Sequence, residues 1–174
     1  MSMIIPATES EKTILGAILL DNSSLRVIWD IIRPCDFAFD FHQALYEAIF
    51  RLHKKHNLVD IPMLIDELQI APLEASYLYE LANKCPSTNN IKAHAEIVRE
   101  KSVQRQLAST IKDVHQLMKI EEPVEKQKDL LADYLEEVAV NLRENEIDDL
   151  ELISLLVDIT KAFSGSLQVM KFEK

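Results

Sequence analysis

Only two glycines occur in 174 residues, Gly16 and Gly165. Sheet proteins rely on glycine at hairpin turns and bulges, where φ turns positive or a side chain has no room. A chain this poor in glycine is expected to be all-α. The same scarcity excludes two phosphate-binding devices. GxxxxGK[ST] and GxGxxG both need closely spaced glycines so that the backbone can approach phosphate, and these two lie at opposite ends of the chain. Hydrophobic residues make up 48% and charged residues 28%, enough for a core and a solvated surface. The length suits one domain, or a small domain with an appendage.

Apolar spacing and turn-formers divide the chain into helices. Thr8 and Glu11 have capping-box spacing ahead of Ile14/Ile18 and Leu15/Leu19, paired at i,i+4. DNSS (21–24) reads as a turn and fresh cap. Leu25, Ile28, Trp29 and Ile32 then form one helical face that stops at Pro34, with Trp29 expected in the core. Asp40 and Gln43 repeat the box spacing before Phe41, Leu45, Ala48, Ile49 and Leu52. Asp60 caps a fourth helix with Pro62 in its first turn. A fifth, after Pro72, carries Leu73, Leu78 and Leu81, which should leave Tyr77 or Tyr79 partly exposed.

The turn-rich PSTNN (86–90) opens a longer element. Leu107, Ile111, Val114 and Met118 are spaced +4, +3, +4, and after the EEP break Leu131, Leu135, Val138 and Leu142 repeat it. These are heptad steps. Two such helices joined by a tight turn predict an antiparallel helical hairpin. Each seam is about two heptads long, too short for an independent coiled coil, so the hairpin should need a partner. A shorter helix is expected near 149–163, after a RENEIDD joint. The expected organisation is a compact bundle of about six helices (1–88), a hairpin for oligomerisation (89–145), and a linker helix with a tail (146–174).

The net charge of −10 is uneven. Residues 1–120 carry 13 Lys/Arg against 15 Asp/Glu, whereas 121–158 carry 3 against 13. Nucleic-acid binding by charge needs a basic patch or stripe, and none appears in sequence order. Arg99, Lys101 and Arg105 are interleaved with Glu96 and Glu100, the pattern of a solvated helix face with weak i,i+4 pairs. Strong direct nucleic-acid binding is not expected. No apolar run approaches the ~18 residues that span a membrane, and the N-terminus lacks a secretory pattern. A cytoplasmic protein is expected, with Cys35 and Cys85 as free thiols.

Catalytic and metal readings are thin. His53 and His56, with Cys35, have a conceivable zinc spacing, but RLHKKHN reads better as a solvated helix end, where cations favour the dipole. Cys85 reads as a small buried hydrophobe rather than a nucleophile. The acidic pairs Glu121/Glu122 and Asp148/Asp149 are better solvated surface than acid–base machinery. No catalytic residue, metal or cofactor is expected.

The order of segments nonetheless resembles a known family. ESEKTILGAILLDNS (9–23), DF (36–37), HQALYEAI (42–49), VDIPMLIDEL (59–68) and YLYELANKCPSTNNIKAHAEIVREKSVQRQL (77–107) are similar, in that order, to the N-terminal domain of DnaB-type replicative DNA helicases. The resemblance implies a helical bundle and hairpin whose pairing between subunits builds a collar on a hexameric ring. It implies docking of a primase or helicase loader there, with the ATPase motor in a separate domain. Carried onto this chain, Tyr77, Ala108 and Val114 become the expected partner-docking residues. Leu107, Ile111, Val114, Leu131, Leu135 and Val138 become the expected oligomer interface. Gly16, Phe37, His42 and Tyr46 match family positions as structural residues. Two departures stand out. QIAPLEASYLYEL is glycine-free where the family commonly has a Gly-Gly loop, and SLQVMKFEK lacks the usual Thr-Gly approach to a motor. The alternative reading is a motor-less relative that regulates, loads or inhibits a host helicase.

Overall fold

The computed structural model describes residues 7–117 except Pro86, together with residues 126, 129, 130, 132–136 and 140. The described elements are helical: α1 (Thr8–Leu20), α2 (Ser23–Ile28), a 3-10 turn (Pro34–Asp36), α3 (Asp40–His56), α4 (Ile61–Leu68), α5 (Pro72–Lys84) and α6 (Ile91–Leu117). The all-α expectation holds.

Each helix contributes its apolar face to one core. Ile14, Leu15 and Ile18 of α1 meet Leu25 and Ile28 of α2, Leu45, Tyr46 and Ile49 of α3, and Leu64 of α4. Leu78 and Leu81 of α5 and Ile91, Ala95 and Val98 of α6 complete it. Burying one such aliphatic side chain stabilises by about 1.5–3 kcal/mol. Gly16 sits where α1 meets α5. A Cβ there would lie 2.3 Å from the Leu81 carbonyl oxygen and 3.0 Å from Cys85 Cβ. The helices approach this closely only because residue 16 has no side chain.

The caps are less regular than the spacing predicted. Asp60 does cap α4, accepting from Met63 N–H at 2.8 Å. The Thr8/Glu11 and Asp40/Gln43 boxes do not form. Ala7 and Phe39 hold the N-cap positions with no side-chain cap bond. Glu11 turns inward instead, and Gln43 Nε2 donates to the Phe37 carbonyl at 2.8 Å. Trp29 is also corrected. Leu25, Ile28 and Ile32 form the buried stripe, and Trp29 falls at its edge, 47% exposed and leaning on Phe50. The glycine-free loop before α5 solves its turn with Gln69, which takes the left-handed conformation at φ 50°. Asn57 does the same at the end of α3, its N–H donating to the His53 carbonyl at 2.8 Å.

The chain divides into two compact units, Met1–Arg105 and Gln106–Lys174. The first unit takes in the start of α6 as well as the bundle, through the packing of that helix. Ile91, Ala95 and Val98 are buried in the first unit's core. Arg99 Nη1 donates to Asp36 Oδ1 at 2.8 Å, and Arg105 Nη2 donates to the Asp36 carbonyl at 2.6 Å. These two arginines, read from sequence as members of a solvated face, are anchors. Within the second unit, Tyr134 O–H donates to Asp113 Oδ2 at 3.0 Å, tying α6 to helical residues 132–136. The linker helix near 149–163, the tail and most of the second hairpin arm lie outside the described residues.

Candidate docking surface

Under the junction of α1, α3 and α5 lies a chain of polar side chains. Glu11, fully buried on α1, accepts from the backbone N–H of Ala38 at 2.8 Å and from His42 Nδ1 at 2.7 Å. His42 Nε2 meets the Tyr77 hydroxyl at 2.8 Å. With Nδ1 protonated toward the carboxylate, a neutral imidazole accepts the tyrosine proton at Nε2, and every member has a partner. The Tyr77 ring is parallel to His42 and rests against Phe41, centroids 6.0 Å apart in both cases. Phe37 braces His42 from its edge and lies 5.0 Å from Tyr46.

A hydroxyl, an imidazole and a carboxylate in series invite comparison with a nucleophilic triad. The electrostatics oppose it. Burial, the largest effect, pushes the Tyr77 phenol above its ordinary value; Lys12 pulls the other way, while Glu80, Glu11 and Glu9 add to the rise. An activated nucleophile needs the reverse shift. The series works as a strut that fixes the Tyr77 ring at the surface while its hydroxyl is held from below.

Above the strut, α1 and α5 flank a cleft of about 260 Å³, lined by Lys12 and Thr13 on one side and by Tyr77, Glu80, Leu81 and Cys85 on the other. Its rim charges pair locally: Lys12 with Glu9 at 3.0 Å, and Lys84 with Glu80. Tyr79, on the other side of α5, is exposed. Cys85 is half-buried with its Sγ toward the Thr13 and Ser87 carbonyls, in keeping with a small packed side chain.

The remaining expected residues belong to the second unit. Ala108 is half-buried on α6. Leu107, Ile111 and Val114 lie on the helical backbone of α6, with side chains outside the description, and Leu135 is helical and half-buried. Leu131 and Val138 lie outside the described residues. The Asp113–Tyr134 bond brings the immediate neighbours of Val114 and Leu135 together. Tyr77 belongs to the first unit, Ala108 and Val114 to the second. Among the described residues no cluster of His, Cys, Asp or Glu is arranged to hold a metal, and no helix is long and apolar enough to cross a membrane. The zinc spacing of His53 and His56 dissolves because His53 is buried while His56 is exposed. That also corrects the solvated reading of His53.

Sequence spacing missed Glu11 and Asp36 as structural centres. Their signal was weak, since a carboxylate two or three residues into a helix reads first as a cap.

The family model of the DnaB-like helicase N-terminal domain matches residues 6–100, which span α1 to α5 and the start of α6. The chain belongs to this family. It is 35% identical over 113 residues to the replicative DNA helicase DnaC of Bacillus subtilis, and 36% identical over 113 residues to the replicative DNA helicase DnaB of Geobacillus stearothermophilus. Each alignment covers 62% of this chain and 25% of the relative. The chain thus spans about a quarter of the length of these helicases, and the matched region does not reach their motor domain. The crystal structure of the N-terminal domain of DnaB helicase from Mycobacterium tuberculosis superposes with a TM-score of 0.66 at 27% identity, over 77% of this chain and 99% of that one.

Proposed function

We propose that this chain is a non-catalytic assembly and partner-docking domain of a hexameric replicative DNA helicase, working in the cytoplasm during DNA replication. The observation that carries the reading is the family match over residues 6–100. The hairpin of α6 and the following arm is the self-association element, through Leu107, Ile111, Val114, Leu131, Leu135 and Val138. Heptad spacing too short to stand alone supports that role. Tyr77 in the first unit, and Ala108 and Val114 in the second, are the residues that would contact a primase or helicase loader. The strut beneath Tyr77 supports this, because a pre-positioned aromatic loses little freedom when a partner covers it.

Analytical ultracentrifugation of the full chain tests the assembly role. Self-association is expected, and Ile111→Asp or Leu135→Asp should abolish it while leaving the helical signal of α1–α5 unchanged. A strict monomer at high concentration would overturn the reading. Calorimetric titration with purified primase tests docking, which Ala108→Arg should weaken. Stable capture of a full-length helicase without self-association would instead support the regulator of a host helicase.

A further inference from the structure

A second surface lies on the α2–α3 side. Trp29, just beyond α2, and Phe50 of α3 are 47% and 37% exposed, with ring centroids 5.5 Å apart. They line a cleft of about 520 Å³ with Arg26, His53 and Lys54. The two touching rings form an exposed apolar patch, and aromatic side chains are enriched at protein contact surfaces. His53, only 8% exposed, is part of the same lining.

We propose that this cleft docks an acidic protein segment carrying an aliphatic or aromatic anchor. The anchor enters between Trp29 and Phe50. The segment's carboxylates meet Arg26 and Lys54. Charge complementarity selects the acidic class. Lys54 makes no ion pair among the described residues, and the hydrogen bond recorded for Arg26 goes to the neutral Asn57 side chain, at 3.3 Å. The next cation, Arg51, is already taken by Glu47 and Glu67. The two cations that line the cleft suit a few carboxylates but not the continuous track that a phosphate backbone needs. The 58° tilt between the rings also denies a nucleobase a flat double platform. The proposal uses residues remote in sequence from Tyr77 and does not rest on the assembly reading.

The lone tryptophan of the chain reports on the cleft directly. The full chain should be panned against a random short-peptide display library, and the best binders titrated while Trp29 emission is followed. Enriched peptides should combine Asp or Glu with Leu, Ile, Phe or Trp and shift the emission saturably. They should lose roughly tenfold or more in affinity on Lys54→Glu, and bind more weakly at high salt. Lys54 is exposed, so circular dichroism should confirm an intact fold; Phe50→Ala is the second variant and should remove the anchor contact. Absence of enrichment over a scrambled library, peptides without acidic residues, or binding unaffected by Lys54→Glu would overturn the proposal. So would tighter binding of oligothymidine than of the best peptide.

Discussion

Glu9 and Glu11 stand two positions apart on α1 and live in different chemistry. The Glu9 side chain is 88% exposed and pairs with Lys12 in solvent. The Glu11 side chain is 0% exposed and holds a backbone N–H and an imidazole. The outer face of α1–α5 and the junction beneath it thus use the same residue types for opposite ends. On the surface, a charge pair gains little because water and salt screen it and ordering both side chains costs entropy. In the junction, the carboxylate cannot return to water, so its partners have to be present and in place. The face is tolerant of change; the junction is committed.

Glu11→Ala tests that contrast most severely. It strands His42 Nδ1 and the Ala38 N–H together, and should destabilise the first unit by about 2–6 kcal/mol, about 1–3 for each unsatisfied donor, read as a large fall in the chemical unfolding midpoint. Gly16→Ala comes next. The added methyl meets the Leu81 backbone carbonyl rather than a movable side chain, and overpacking of this kind should cost about 1–3 kcal/mol, again from denaturant titration. Tyr77→Phe removes one hydroxyl from the outer end of the strut and should cost about 1 kcal/mol. At the other extreme, Lys84→Ala breaks the exposed Lys84–Glu80 pair on α5 and should leave the thermal midpoint where it was. A Lys84→Ala effect as large as that of Tyr77→Phe would erase the distinction between face and junction.

Most of the helices were legible because apolar periodicity is a local signal. α3, with Leu45, Ala48, Ile49 and Leu52 buried in phase, and α4, with Asp60 as its cap, follow directly from spacing. Trp29 was misplaced because periodicity marks an apolar face but not the edge of its buried stripe: Leu25, Ile28 and Ile32 are inside, and Trp29 lies at the margin. Glu11 and Asp36 were hidden for another reason. Their partners lie 27 to 69 positions away, and spacing rules within one helix carry no information about such pairs. Arg99 and Arg105 illustrate the cost: mixed-sign neighbours described their local pattern correctly and their destination wrongly. The candidate surface was half legible. Tyr77 was singled out by resemblance, but the His42–Glu11 support beneath it emerged only from the fold.

The close seam at Gly16 also bears on how the chain reaches this fold. Residue 16 touches Leu81 and Cys85, so the contact encloses α2, α3 and α4 in a long loop. Such a contact yields nothing until the entropy of closing the loop has been met, and non-local contacts of this kind slow folding relative to local helix formation. Gly16→Ala is therefore expected to slow refolding as well as to loosen the packing, which the folding arm of a chevron plot would read.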